Sequence, residues 1–382
     1  MSIAVAGAGF SGAVVARELA EAGISVDVFD ERDHMAGNCH TYRDPETDVM
    51  VHAYGPHIFH TGSEHVWNYV NNFGSFAPYR HRVKATVGGR VYSLPVNLLT
   101  INQFFGTALS PREAKDFISQ QADSSITSPI SFEDQGLAFV GRDLYEAFFA
   151  GYTKKQWGLD PSDLPASILK RLPLRFNYDD TYFDHPHMGI PTEGYTAIVE
   201  RILDHRSISV HLSRSLQKAE MATYDHAFWT GPIDAYFNHE HGRLPYRTLD
   251  FETERHQGDY QGCPVMNYCD QSVPFTRITE FKHFTEWESH EATLIYREFS
   301  RECGPDDTAY YPIRQVKEKA QLARYVEAAR ALTGVTFLGR LGTYRYLDMD
   351  VAIKEALEAA DGFLECRRAD EAPPVFFTNP VG

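Results

Sequence analysis

At 382 residues and 43% hydrophobic content, the chain is long enough for two or three packed regions sharing one or more cores. Its formal charge of -16, from 52 acidic against 36 basic residues, gives no overall attraction for nucleic acid or an anionic membrane, so a polyanionic ligand needs a local arginine cluster. The five cysteines form no C-x-x-C pair, which fits reduced thiols in a cytoplasmic protein, and no apolar run approaches the ~18 residues of a membrane span.

The chain opens as strand, glycine turn, helix, strand. Residues 3–6 are an apolar run that stops at Gly7, Gly9 and Gly12, spaced G-x-G-x-x-G, and Val15 and Leu19 then fall four apart on one helical face. Gly7 permits the sharp turn, Gly9 lets the backbone approach a pyrophosphate, and Gly12 lets the helix pack close to the strand. The phosphates would sit on the N-terminus of the helix that follows the glycines. Asp30 closes the second strand, where a carboxylate accepts hydrogen bonds from a ribose 2′-hydroxyl and repels a 2′-phosphate, disfavouring NADP. Gly37, soon after that acid, resembles the extended FAD fingerprint of amine-oxidase-like flavoproteins, although Ala36 stands where the first glycine of a pair is usual. FAD is the expected cofactor.

Residues 48–61 are rich in aromatics and histidine. Without a third ligand at the usual spacing, His57 and His60 predict no metal but a buried, hydrogen-bonded pair beside the cofactor. Residues 81–94 alternate on both sides of Gly88-Gly89 and predict a hairpin. Helical periodicity in 110–121 and 137–149, with Ser110-Pro111 as a helix start, predicts an inserted helical region ending in the rings and cations of 148–157. Lys170, Arg171 and Arg175 follow, then Tyr178 and Tyr182 around Asp179-Asp180, and a solvated helix face is the plain reading of those cations.

Residues 194–203 read as a helix, and 208–212 and 226–230 as strands returning to the first sheet, so the cofactor region is discontinuous. Residues 249–254, 265–268, 275–281 and 294–299 read as antiparallel strands, with Arg277 on one of them. A long amphipathic helix over 317–332 and a last helix ending near Ala360 complete the pattern, and the tail from Ala369, with Pro373-Pro374, is expected to be disordered. There is no P-loop, H-E-x-x-H or G-x-S-x-G motif, which excludes P-loop hydrolases, zincins and nucleophile-elbow hydrolases.

From residue 3 to about 358 the chain resembles bacterial UDP-galactopyranose mutases. The resemblance rests on Tyr54-Gly55-Pro56-His57-Ile58-Phe59-His60-Thr61, on 151–157 (Gly-Tyr-Thr-Lys-Lys-Gln-Trp), and on the stretches beginning at Lys170, Val265, Thr276 and Gly339. It implies an α/β protein: a discontinuous Rossmann-type FAD-binding domain (1–76, 190–240, 316–382), a helical lid and dimer domain (98–176), and an antiparallel sheet domain for substrate (77–97, 177–189, 241–315). The implied reaction interconverts UDP-galactopyranose and UDP-galactofuranose with no net redox change, the N5 of reduced FAD attacking the anomeric carbon. The cofactor being the nucleophile, no activated serine, cysteine or carboxylate dyad is needed.

By the same resemblance, Arg171 and Arg277 clamp the diphosphate, and His60 lies against the isoalloxazine. Tyr182, Tyr311 and Tyr346 bind phosphate, while Phe148, Tyr152, Thr153, Gln156, Trp157 and Asn267 form the uridine pocket with Tyr152 stacked on uracil. Gly7, Gly9, Phe10, Gly12, Asp30, Asn38, His57, Arg340, Asp348 and Met349 are the implied FAD contacts. His81, also at the substrate, departs from the family's usual asparagine. A homodimer is implied as well, and the helical insert suggests a mobile lid around 157–170 that closes over substrate. Three alternatives stay open: a mutase for UDP-N-acetylgalactosamine, an amine-oxidase-like flavoprotein, and a catalytically silent nucleotide-sugar sensor.

Overall fold

The computed structural model describes residues 1–171, 173–314 and 316–381, and the side chains of Lys170, Arg171, Val316 and Lys317 lie outside the described set. The first sheet is parallel and five-stranded, in the order Ile208–His211, Ser25–Phe29, Ser2–Ala6, His226–Trp229, Val335–Phe337. The first strand is central, and the chain leaves it to both sides. The crevice outside its carboxyl end is therefore a switch point of the kind where doubly wound sheets bind ligands.

Helices cover both faces of this sheet, which explains why its central strands read as continuous apolar runs rather than alternating ones. On one face Val14, Val15 and Leu19 pack with Ile198, Ile202 and Phe363. On the other, Phe237, Leu322, Tyr325 and Tyr344 enclose Phe337.

The second sheet has seven strands, in the order Tyr311–Pro312, Tyr246–Gln257, Ala292–Glu302, Arg277–Glu280, Val265–Tyr268, Val83–Val87, Arg90–Leu94. Its pairs are antiparallel except that Val265–Tyr268 runs parallel to Val83–Val87. The hairpin at Gly88-Gly89 forms as the sequence predicts, with Val87 opposite Arg90. A third, small sheet joins Phe59–Thr61 and Phe76–Pro78 through His187–Pro191.

The helical region begins with helices Leu98–Phe105, capped by Asn97, and Pro111–Gln121, where Ser110 and Glu113 form a capping box. The helix predicted over 137–149 is instead broken. Phe132–Val140 stops at Gly141, whose φ of 77° and a virtual Cβ 2.5 Å from Gln121 O leave no room for another residue. The chain restarts at Arg142, widens into a π-helical turn over Tyr145–Ala150, and continues as helix Gly151–Trp157.

Three further expectations need correction. The tail is ordered: Thr336 Oγ1 donates to Pro374 O and Phe337 N to Val375 O, both at 2.8 Å, and Phe376 stacks on Phe337. It covers the open edge of the parallel sheet, which leaves an edge strand less exposed. The last helix runs Met349–Ala369, well past Ala360, because Leu357, Ala360 and Phe363 continue its buried stripe. Arg175 is no solvated helix residue, being only 9% exposed and donating to Thr181 O and to the Asp184 carboxylate.

Candidate active site

One cavity of about 2150 Å³ runs from the glycine turn through the histidines to the rings of 148–157 and Arg277. At its first end, the glycine turn is as tight as its spacing suggests. A Cβ on Gly7, whose φ is 108°, would lie 2.0 Å from Thr230 Oγ1, and one on Gly12 would lie 1.9 Å from Gly7 O. Gly9 caps helix Phe10–Glu21 without a side-chain partner, leaving the first N–H groups directed at the cavity.

The Asp30 carboxylate braces this turn, accepting from Ala8 N at 2.8 Å and Arg32 N at 3.0 Å. Asn38 bridges Arg32 and Ala309 O. Two buried guanidinium nitrogens bordering the cavity, Arg32 Nη1 and Arg340 Nε, have no hydrogen-bond partner among the described residues. A dinucleotide with its pyrophosphate on the helix end fits these donors and the glycine cradle. Asp348 and Met349, at the start of the last helix, line the same cavity.

At the second end, Arg277 is the centre of a polar cluster. It stands directly opposite Glu298 in the sheet, and its Nε donates to Glu298 Oε2 at 2.7 Å. Burial opposes its charge, but Glu298, Tyr152 and Tyr311 more than offset this and keep the guanidinium firmly protonated. Arg277 in turn acts electrostatically on Tyr152, Tyr182 and Tyr311, whose hydroxyls burial holds well above their usual range. Tyr311 and Tyr346 lie 5.5 Å apart, with the Arg340 guanidinium over both rings. Of the two arginines expected there, Arg277 lines the cavity, and the Arg171 side chain lies outside the described residues.

Helix Gly151–Trp157 presents Tyr152, Gln156 and Trp157 to the cavity. Gln156 Oε1 is buried without a partner among the described residues, an acceptor facing a space otherwise rich in rings. Thr153 is buried, and Asn267 lies across the strand pair from Arg277. Phe148 lines the cavity but also packs edge-on against Tyr92 and Phe104, so it belongs equally to the helical core.

The histidines do not pair as expected. His57 uses its Nδ1 on Gly55 O at 2.8 Å, whereas His60 Nδ1 meets His185 Nδ1 at 2.7 Å and its ring stacks on Phe183 at 3.7 Å. The reason is the small third sheet, which sets His60 opposite Met188 and so brings the 183–185 turn against it. Burial, with Arg340 and Arg277 adding to it against a backbone bond, holds His57 down at about 4. His81, only 4% exposed, is held at about 3 by burial and Arg277. Both are neutral at pH 7. Burial likewise lowers His60, the Asp348 charge opposing it.

Sequence reasoning missed Glu298, Arg32, Phe183 and His185. Glu298 has no motif of its own, since only strand register sets it against Arg277. Among the described residues one trio of metal-ligand type lies together, Asp259, Glu280 and His283. Glu280 there accepts N–H groups from Tyr260, Gln261 and Gly262, and Lys282 pairs with Asp259, so the trio anchors a loop.

A family model described as UDP-galactopyranose mutase matches residues 147–346, and one for an NAD(P)-binding Rossmann-like domain matches 5–73. A Klebsiella pneumoniae protein named "Probable UDP-galactopyranose mutase" is 58% identical, covering 100% of this chain and 99% of its own. An Escherichia coli dTDP-fucopyranose mutase is 52% identical over 95% of this chain and 98% of its own. A crystal structure of reduced UDP-galactopyranose mutase shares the fold, with a TM-score of 0.70 at 15% identity and 95% of each chain covered. No helix among the described residues is long and apolar enough to cross a membrane. A nucleotide-cofactor fold at one end of the cavity, an arginine and tyrosine cluster at the other, and these relatives along the full length lead to one conclusion: the chain belongs to the UDP-galactopyranose mutase family and is an isomerase.

Proposed function

We propose that the chain interconverts UDP-galactopyranose and UDP-galactofuranose, with FAD on the glycine turn active in its reduced form. The observation that carries this reading is the Arg277 cluster, a charged guanidinium and buried tyrosine hydroxyls opening into the cavity that begins at the glycine turn. Reduced FAD would supply the nucleophile, its N5, at the anomeric carbon. The residues of this chain then have to hold the departing diphosphate in reach and keep water out.

Arg277, joined by Arg171 on the resemblance, stabilises the diphosphate charge as the sugar bond breaks, in a site of low dielectric. Tyr182, Tyr311 and Tyr346 donate to the same oxygens, burial keeping the first two protonated at any working pH. Tyr152 offers its ring to uracil, and Gln156 Oε1 can accept from a base N–H. Neutral His57, His60 and His81 supply hydrogen bonds at the sugar and flavin end without adding charge beside a leaving anion. Phe183, stacked on His60, shields that end from solvent.

The 52% identical relative favours one specific rival, a dTDP-fucopyranose substrate. It differs from UDP-galactopyranose by a base methyl, a missing ribose 2′-hydroxyl and a missing sugar 6-hydroxyl. Turnover of both nucleotides by one preparation of reduced protein decides between them. The proposal expects UDP-galactopyranose to have the higher kcat/KM, and the reverse order overturns it.

We infer also a homodimer through the helical region, where Leu99 and Ile130 are exposed, and a cytoplasmic setting, which the five free cysteines suit. The domain limits given above remain part of this proposal.

A further inference from the structure

The helix carrying Tyr152, Gln156 and Trp157 meets the strands carrying Asn267 and Arg277 at an unusual junction. Lys155 Nζ donates to four backbone carbonyls of a single turn: Tyr268 O at 2.7 Å, Asp270 O at 3.0 Å, Val273 O at 2.9 Å and Phe275 O at 3.0 Å. An ammonium has three N–H bonds. Four acceptors at these distances are therefore a carbonyl cage closed around a cation, the arrangement that holds a bare monovalent ion elsewhere in protein chemistry.

The cage is the turn between strands Val265–Tyr268 and Arg277–Glu280, and it is pinned from outside. Cys269 N donates to Thr86 O at 3.1 Å, and the Asp270 carboxylate accepts from Gly88 N. One helical turn before Lys155, Gly151 presses on the same segment, and a Cβ there would lie 2.4 Å from Cys269 O. Residues 151 and 155, four apart, thus face the turn, while Tyr152 and Gln156, also four apart, face the cavity. Asn267 and Arg277 are direct cross-strand partners just inside the cage.

We propose that Lys155 is a positioning residue for nucleotide binding, a tethered cation whose ammonium closes the 268–275 turn and so fixes helix Gly151–Trp157 against Asn267 and Arg277. The inference rests on the nucleotide reading of the cavity. Burial lowers the Lys155 pKa, Cys269 and Asp270 opposing it, so the charge that closes the cage is lost more readily on the alkaline side than that of a free lysine. Its neighbour Lys154 is exposed and pairs with Asp160, at 2.6 Å.

The test is calorimetric titration of UDP into the flavin-loaded protein and its variants. Lys155→Met keeps the side-chain volume and removes the charge. It should bind UDP about tenfold more weakly or worse, with the flavin spectrum unchanged, whereas Lys154→Met binds as the unaltered protein does. Lys155→Ala should recover affinity when propylammonium chloride, which restores the missing atoms and the charge, is added, and not with sodium chloride at equal ionic strength.

Should Lys155→Met not fold, Lys155→Gln keeps two donors and carries the same expectation with a smaller loss. Folded variants that bind UDP normally overturn the inference, as does a loss that sodium reverses as well as propylammonium does. Failure of the unaltered protein to bind UDP refutes the nucleotide reading and this inference with it, and binding by the unaltered protein alongside unaffected variants refutes the inference alone.

Discussion

Replacing Arg277 separates what the buried ion pair does for folding from what the guanidinium does for binding. Arg277 Nε lies 2.7 Å from Glu298 Oε2, and the glutamate side chain is 1% exposed. Arg277→Met leaves that carboxylate buried with, among the described residues, the Thr276 hydroxyl at 3.1 Å as its remaining side-chain partner. An abandoned buried charge costs about 3–5 kcal/mol of stability. Adding Glu298→Gln removes the second charge at nearly constant volume, and the double variant should recover most of that loss. Binding behaves differently, because neither variant has the guanidinium. Both should bind UDP more weakly by about 2–4 kcal/mol, roughly 30- to 1,000-fold. Urea unfolding and UDP calorimetry on the same preparations read the two quantities. A double variant no more stable than the single one refutes the buried-pair argument, and one that binds UDP normally refutes the diphosphate assignment.

Acid should weaken the fold. Burial holds His52, His81 and His226 at about 3, 3 and 4, below their ordinary 6.5, so between pH 6.5 and 4 the unfolded chain takes up protons that the folded one refuses. Stability is then full above pH 6.5 and falls on acidification, by up to about 1.4 kcal/mol per pH unit for each group, and a Tm constant from pH 7 to pH 4.5 contradicts this. Gly12→Ala places a Cβ 1.9 Å from Gly7 O, a backbone atom that cannot yield, so the purified variant should be colourless, and a normal flavin spectrum would show that the turn does not hold the cofactor. Deleting residues 370–382 removes Phe376 from Phe337 and both tail bonds to strand Val335–Phe337, which should lower Tm by several degrees; an unchanged melt means the tail adds nothing to the sheet edge.

What the sequence made legible was local. The glycine turn, the Gly88-Gly89 hairpin and the helix start at Ser110-Pro111 each write their geometry into a few consecutive residues, and each forms as read. What it hid depends on register and distance. The Arg277–Glu298 pair exists because two strands align those residues, and the His60–His185 contact because a short third sheet does. Either spacing could have belonged to any surface charge or ring. The broken helix at Gly141 follows from the nearness of Gln121, a tertiary fact, and the proline-bearing tail is ordered because a sheet edge was available to cover. Lys155 read as one more cation in a basic run until its four carbonyl partners, all more than one hundred residues away, were in view.

The most direct test of the whole account is proton NMR of UDP-galactofuranose incubated with the purified protein, before and after dithionite bleaches its flavin. The account requires conversion to UDP-galactopyranose by the bleached protein, with no oxidised or reduced sugar product and little turnover before bleaching. Equal turnover in both states, or a sugar product of changed oxidation level, contradicts it.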